Sequence, residues 1–169
     1  MKWYRKDTLE LLGLGSSFEI LEKGDLPLSA EESVEKVFGP KENRGAMVIS
    51  GIGGIVGSGK AMQFGSRLLP YDVPLVGLDL PGAPDGLGRQ FQGLLRSFGP
   101  EKANAIMENI IKIHYDGKKL PSSLKQFRPA FLLEAIPEIL SLKKEHYALF
   151  REAFPHIEIR SVTSGFPSS

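Results

Sequence analysis

The sequence predicts an α/β fold, namely a doubly wound and mostly parallel sheet that follows a short N-terminal helical extension. Short apolar runs alternate with segments of helical periodicity, which is the pattern of a parallel sheet covered on both faces. One apolar run ends in a cluster of glycines, and a later run, 130–136, is almost continuously apolar. The rest of the core is expected to be arranged around the glycine-rich stretch, Ala46 to Lys60.

This stretch reads AMVISGIGGIVGSGK, a strand that breaks into glycines and continues as a helix. Glycines let the backbone approach an anion closely, and the first N–H groups of a helix face it, so a phosphate-binding turn is predicted. Gly51, Gly53 and Gly57 resemble the G-x-G-x-x-G motif of dinucleotide sites, with the third glycine one residue late, because Val56 stands where it belongs. Starting from Gly54 restores the G-x-x-G half.

A second interpretation of the same letters stays open. Gly54, Gly59 and Lys60 spell G-x-x-x-x-G-K, the start of a P-loop, which next requires a serine or threonine to hold magnesium. Ala61 stands at that position and has no oxygen. A third interpretation is a glycine turn that only packs a helix on a strand.

Composition limits the functional classes. The 169 residues are 41% apolar and 24% charged, which is typical of one soluble globular domain, and the net charge of +1 predicts no general attraction to nucleic acid or acidic membranes. The chain contains no cysteine, so disulfides and thiolate metal sites are excluded. No apolar run approaches the roughly 18 residues of a membrane span, and we expect a cytoplasmic protein.

Residues 1–44 are expected to form a helical extension to a domain spanning 45–169. Asp7 can cap a helix that ends near Leu14, and Ser29 with Glu32 forms a capping box for a second helix that ends near Phe38. The role expected of this extension is to cover the sheet, and a partner surface is the alternative.

The expected core elements follow in order. Strands are predicted at 47–51, 73–80, 130–136 and 157–162, with a short extended piece at 126–128. Helices are predicted at 58–69, 89–98, 101–113 and after Pro137. His114 would then close a helix, and its expected role is to interact with the helix dipole. The three histidines are isolated in the sequence, so neither a metal cluster nor a catalytic pair is predicted.

Two carboxylates are candidate site residues. Asp79 ends the second predicted strand 22 positions after Gly57, a spacing that suits a carboxylate accepting the hydroxyls of an adenine ribose, although a capping role at the strand end is equally compatible. Glu134 lies near the end of the apolar run 130–136, where an unpaired charge is costly inside a core, so a position in the cleft is expected. In the following helix Lys143, Lys144 and Arg151 are expected to be solvated.

The C-terminal residues resemble the 3-hydroxyacyl-CoA dehydrogenase family. The order is Glu134-Ala135-Ile136-Pro137-Glu138, then Leu142-Lys143, a helix, a strand, and finally Ser161 to Pro167 as SVTSGFP. The family has I-E-A-V-P-E, a leucine-lysine pair, a helix and S-N-T-S-S-L-P at the same spacing. The resemblance runs from Met47 to the C-terminus and is strongest over 133–143.

The resemblance implies a Rossmann-like NAD-binding domain of an oxidoreductase of fatty acid metabolism, with an acyl-CoA substrate. It implies that the turn and helix start bind the cofactor, that Asp79 contacts the adenine ribose, that Glu134 and Lys143 lie on the nicotinamide side, and that Ser164 lies near the substrate. The cofactor-binding turn comprises Gly51, Gly53, Gly54, Ile55, Val56 and Gly57, with the backbone of 53–56 at the pyrophosphate.

The sequence also departs from the family. Val162 replaces the asparagine and Gly165 the second serine of the last motif, and the longer helix after the glycines leaves either Asp79 or Gly77 at the ribose position. The catalytic histidine and glutamate of the family lie beyond Ser169. We therefore expect this chain by itself to bind NAD without turnover, and a homo-oligomer or a separate second subunit stays open. The alternatives are a non-catalytic binding or assembly module and, less favoured, a P-loop nucleotide-binding protein.

Overall fold

A computed structural model of the chain, which describes residues 28–163, contains a five-stranded, all-parallel sheet in the order β3-β2-β1-β4-β5. The strands are β1 (Ala46–Ser50), β2 (Leu75–Asp79), β3 (Ile110–His114), β4 (Pro129–Glu134) and β5 (Glu158–Ser161). The helices are α1 (Ala30–Phe38), α2 (Ile55–Leu68), α3 (Gly86–Glu108) and α4 (Leu140–Ala153), with short 3-10 helices at Lys41–Asn43, Leu69–Tyr71 and Ser122–Phe127. The predicted α/β, doubly wound fold class is confirmed.

Helices cover both faces of the sheet because successive residues of each buried strand point in opposite directions. On one face Met47 and Ile49 of β1 pack with residues of α1, α2 and α3, including Phe38 and Ile106. On the other face the core residues are Ala46, Val48, Val76, Leu78, Leu124, Leu132, Phe150 and Ile157, which brings in α4 and the last 3-10 helix. All five residues of β1 are buried, as expected of a central strand.

The start of α1 follows its predicted capping box. The N–H of Glu32 donates to Ser29 Oγ at 3.1 Å, and the N–H of Ser29 donates to Glu32 Oε2 at 2.7 Å. These bonds satisfy backbone donors that a helix start leaves without partners. The chain divides into two units between Ser33 and Val34, inside α1, and the sheet belongs to the second unit. The helix predicted from Asp7 to Leu14 lies outside the described residues.

The main error of the sequence prediction is at residues 101–114. The predicted helix 101–113 is right only as far as Glu108, where α3 ends, because residues 110–114 form the edge strand β3 beside β2. His114 is therefore in a strand and not in the last turn of a helix. The two helices expected on either side of Gly99 are present, since α3 is interrupted at that residue, whose φ of 77° is not helical. The piece expected to be extended at 126–128 is part of a 3-10 helix and its cap.

Strand register places the ends of the strands at one edge. Ser50 pairs with Leu78 of β2 and with Glu134 of β4, Asp79 pairs with His114, and Glu134 pairs with Ser161. Chain order reverses between β1 and β4, because β2 and β3 lie on one side of β1 while β4 and β5 lie on the other. Loops on either side of such a reversal diverge and leave a crevice at the carboxyl ends of the strands. Among the described residues, no helix has the length and apolar character needed to cross a membrane.

Candidate functional site

A cavity of about 530 Å³ lies at this carboxyl edge, at the reversal of strand order. Its walls come from the glycine turn and the start of α2, from the end of β2 and the loop after it, from the loop after β3, and from the turn between β4 and α4. The lining is mostly apolar, with Asp79, Tyr115, Glu138 and His146 as its ionisable side chains. A largely apolar cavity with a few polar groups is typical of a small-molecule or cofactor site.

Three glycines of the turn are required by close packing. Gly51 has a φ of 78°, and a Cβ there would lie 2.5 Å from the carbonyl oxygen of Ala135. A Cβ on Gly53 would lie 2.7 Å from Asp79 Oδ2, and one on Gly57 would lie 2.7 Å from the carbonyl carbon of Gly51. Gly57 therefore performs the helix–strand packing role of the third glycine, one residue later than in the usual motif. Gly54 is less restricted, since its Cβ would have ordinary contact distance to Gly51 O.

The start of α2 presents backbone donors to the cavity. Gly54 is its N-cap, and helix geometry leaves the N–H groups of Ile55 and Val56 without acceptors inside the helix. Ile55 and Val56 are 79% and 50% exposed, and both residues line the cavity. The first turn of α2 contains no acidic residue, so the positive end of the helix dipole is not offset by its own side chains. The N–H of Gly53, which was expected at the pyrophosphate, instead donates to Asp79.

The P-loop interpretation conflicts with this geometry. Residues between Gly54 and Lys60 are the first turns of α2 and do not form a loop that could surround a phosphate. Lys60 Nζ donates to Gln63 Oε1 at 3.3 Å, along the helix. Because a P-loop needs its lysine at the start of the helix, beside a backbone loop, this segment lacks the shape of that motif.

Asp79 lies where the sequence placed it, at the end of β2 and beside the glycine turn. Its Oδ2 accepts from the N–H of Gly53 at 2.6 Å, and its Oδ1 accepts from the N–H of Leu80 at 3.0 Å. These bonds fix the carboxylate at the cavity wall and leave further lone pairs for a ligand. The capping and ligand-binding interpretations are therefore compatible, since the same side chain can hold the turn and accept hydroxyl groups.

Glu134 and Lys143 form a buried ion pair. Glu134 is 0% exposed and Lys143 is 3% exposed, and Lys143 Nζ donates to both carboxylate oxygens at 2.8 Å. Glu134 also accepts from Tyr147 Oη at 2.5 Å, from Ser161 Oγ at 2.7 Å and from the N–H of Ile136 at 2.7 Å. The expectation that Lys143 is solvated is wrong, because its ammonium group turns inward to the carboxylate. Neither Glu134 nor Lys143 is among the residues that line the cavity.

This network fixes the charge of both partners. Burial raises the pKa of Glu134, but hydrogen bonds from Lys143, Tyr147 and Ser161 outweigh it and lower the pKa overall. Burial lowers the pKa of Lys143, and its bond to Glu134 outweighs that effect and raises it. The pair joins the end of β4 to α4 and β5, so it holds the turn at 135–138 that forms one wall of the cavity. A charge in the core is stabilised here because it is paired and fully hydrogen-bonded.

Glu138 is a site residue that the sequence interpretation missed. It lines the cavity, its Oε1 lies 3.3 Å from Lys143 Nζ, and its Oε2 accepts from Thr163 Oγ1 at 2.8 Å. Lys143 thus bridges the buried Glu134 and the half-exposed Glu138. The carboxylate that reaches the cavity on the β4 side is Glu138, four residues after the one that was predicted.

A second group of polar side chains was also missed. The imidazole of His146 forms a hydrogen bond through Nδ1 to Tyr115 Oη at 2.9 Å and through Nε2 to Ser50 Oγ at 2.8 Å. Tyr115 and His146 line the cavity, while Ser50 is buried at the end of β1. Burial lowers the pKa of His146 despite the charge of Glu134, and burial together with Asp79 and Asp116 raises the pKa of Tyr115 to about 12. Residues 96 positions apart in the sequence meet here, and no motif marks them.

His114 lies at the end of β3, and residues 28–163 contain no group of three or more metal-ligating side chains. Ser164, expected near a substrate, lies outside the described residues.

No model of a known protein family matches the chain, and no curated protein matches it at a significant level.

Proposed function

We propose that this chain binds NAD across the carboxyl ends of β1, β2 and β4, as the cofactor domain of an oxidoreductase similar to 3-hydroxyacyl-CoA dehydrogenases. The observation that carries the proposal is the cavity at the reversal of strand order, which has the glycine turn and the start of α2 on one side and Asp79 beside them. In open α/β sheets this crevice is the usual ligand site.

The turn fits a diphosphate. Gly51 and Gly57 allow the helix to start directly at the strand end, and the N–H groups of Ile55 and Val56 can donate to phosphoryl oxygens near the cavity. The Gly54 position adds no side chain between these donors and a ligand. We place the diphosphate at 54–56 and not at Gly53, whose N–H is already used by Asp79.

In this proposal Asp79 makes the protein prefer NAD to NADP. Its carboxylate is held by two backbone N–H groups and can accept ribose hydroxyls, whereas the 2′-phosphate of NADP would meet a like charge.

On the β4 side, Ile136, Pro137 and Leu142 form an apolar wall and Glu138 adds a carboxylate held by Lys143 and Thr163. We place the nicotinamide against this wall. NAD supplies hydride transfer, and in this proposal the chain binds and orients the cofactor for a 3-hydroxyacyl-CoA in a complete enzyme.

The test compares two Asp→Asn variants at opposite ends of β2. Asp79→Asn keeps an oxygen to accept from Gly53 but removes the charge, so we expect NADH to bind at least tenfold more weakly and NADPH to lose less. Asp72→Asn is the control, because Asp72 precedes β2, is largely exposed, and has the left-handed φ of 56° that asparagine tolerates. Binding is measured by NADH fluorescence and by calorimetry without magnesium.

Wild-type protein that binds no NADH at millimolar concentration would contradict the proposal. Equal effects of Asp79→Asn and Asp72→Asn would contradict the placement of the ribose. The alternative of a non-catalytic assembly module is favoured by large apolar residues that are exposed in the loops and helix starts of the carboxyl edge, namely Ile55, Val56, Leu80, Ile139 and Leu140. Association of the protein in light scattering, without NADH binding, would support that alternative.

A further inference from the structure

The hydrogen bonds of Ser50, His146 and Tyr115 have a direction that can be worked out from the partners available. Ser50 is fully buried, and within residues 28–163 its hydroxyl has a single hydrogen-bond partner, Nε2 of His146. A buried hydroxyl proton without an acceptor is costly, so Ser50 donates to Nε2. Nε2 is therefore the unprotonated nitrogen of the ring.

The state of the imidazole then follows. A neutral imidazole with an unprotonated Nε2 has its proton on Nδ1, and Nδ1 lies 2.9 Å from Tyr115 Oη. The ring is kept neutral by burial, and the Phe150 ring packs against it at an interplanar angle of 60°, with centroids 5.0 Å apart. The charged group that faces it from β4, Glu134, is already paired with Lys143. His146 thus donates from Nδ1 to the Tyr115 oxygen.

Tyr115 is the end of this chain of bonds. Its oxygen accepts from His146, so its own proton must point elsewhere, and Tyr115 lines the cavity. With its pKa raised to about 12 by burial, Asp79 and Asp116, the hydroxyl keeps this proton at neutral pH. The backbone N–H of Tyr115 donates to the carbonyl of Asp79, so the residue is anchored beside the proposed ribose position.

We propose that Tyr115 is a ligand-binding residue that donates its hydroxyl proton to a phosphoryl oxygen of the bound dinucleotide, and that Ser50 and His146 are positioning residues that set the direction of this bond. This inference rests on the proposed function and adds to it a side-chain donor to the diphosphate from the sheet side. An anionic oxygen is the preferred acceptor, because hydrogen bonds to charged groups are stronger than those to neutral ones.

The first experiment measures ligand affinity. Tyr115→Phe keeps the ring and removes the donor, and we expect NADH to bind about tenfold more weakly or worse. Adenosine, which has the base and ribose without phosphate, should bind equally to both proteins by calorimetry. The control is Tyr71→Phe, because Tyr71 lies just before β2, at the opposite edge of the sheet from the cavity. Tyr147→Phe is unsuitable as a control because it removes a hydrogen bond to Glu134.

The second experiment determines the direction of the hydrogen bonds of His146 in the protein without ligand. Nitrogen-15 NMR of the His146 ring should show the Nδ1–H tautomer in the wild-type protein. Ser50→Ala removes the donor that selects the Nδ1–H tautomer, so the excess of that tautomer should be smaller than in the wild-type protein, and NADH binding should weaken in the same sense as Tyr115→Phe. Thermal unfolding of each variant shows that it is folded.

The outcomes separate this inference from the proposed function. NADH binding that is unchanged in Tyr115→Phe overturns the inference and leaves the function in place. An Nε2–H tautomer in the wild-type protein overturns the positioning roles of Ser50 and His146. A wild-type protein that binds no NADH overturns both the proposed function and the role of Tyr115 as a donor to a dinucleotide.

Discussion

Replacing Lys143 with methionine tests whether Glu134 is held as a buried charge. The substitution keeps a long unbranched side chain of similar helix propensity and removes the ammonium group. Glu134 would retain bonds from Tyr147, Ser161 and the N–H of Ile136, but its charge would have no cation at contact distance within the described part of the chain. Lys144→Met is the matched control, because the neighbouring lysine is exposed.

The size of the effect follows from the burial of the pair. Breaking a buried ion pair by removing one partner costs about 3–5 kcal/mol, whereas exposed substitutions stay within about 0.5 kcal/mol. For a chain of 169 residues this corresponds to a fall in Tm of about 6–20 °C. Calorimetry and urea unfolding at pH 7 measure the difference. The double variant Glu134→Gln with Lys143→Met should recover part of the loss, since it removes the orphaned charge.

The pH dependence has a definite sign. In the wild-type protein the folded-state pKa of Glu134 is lowered, so its contribution to stability is present above the unfolded pKa of about 4.3 and is lost as the pH falls through the folded value. Without Lys143, the first-named of the hydrogen bonds that lower the pKa of Glu134 is lost, so we expect burial to raise this pKa and acid to stabilise the variant. The gap between the two proteins should narrow as the pH falls from 7 to 4.5. Equal stability of Lys143→Met and Lys144→Met at pH 7 would refute the buried-charge argument.

Two further predictions concern glycines. Gly57→Ala should destabilise the fold by about 1–3 kcal/mol in urea unfolding, because the new Cβ would overlap with the carbonyl group of Gly51. Gly59→Ala is the control, because nothing lies within 4 Å of the new Cβ. It should stabilise the protein by about 0.4–1 kcal/mol and leave NADH binding unchanged. Loss of nucleotide binding in Gly59→Ala would instead favour a P-loop. Gly77→Ala should lower the thermal stability of the protein, because the new Cβ would lie 2.7 Å from Ile52 Cγ2. Adding Ile52→Ala to this variant should relieve the overlap. Equal stability of the wild-type protein and Gly77→Ala in thermal unfolding would show that β2 shifts to make room.

Local patterns in the sequence determined the fold class and much of the cavity edge. Apolar runs of strand length followed by turns and helices predict a parallel sheet, and the capping box of Ser29 and Glu32 predicts the start of α1 within one residue. Asp79 could be placed beside the glycine turn because the ends of parallel strands meet at one edge. These features depend on residues that are close in sequence or on a period that the chain repeats.

The strand β3 shows where local patterns were insufficient. Ile110, Ile111 and Ile113 continue the apolar spacing of the preceding helix, so periodicity alone joined them to it. Their β-branched side chains favour a strand, and Asn109, whose side-chain amide donates to the carbonyl of Val73, ends the helix. These residues form a strand because they pair with β2, which lies more than thirty residues earlier in the chain.

Only the tertiary structure decided which polar side chains are buried and which face the cavity. Lys143 and Lys144 are adjacent lysines with the same local surroundings, yet one is buried against Glu134 because helix α4 packs on β4 and β5, and the other is exposed. Likewise Ser50 of β1, Tyr115 of the loop after β3 and His146 of α4 come together from distant parts of the sequence. Burial and hydrogen-bond partners across distant segments are properties of packing, and a single sequence contains no spacing rule that specifies them.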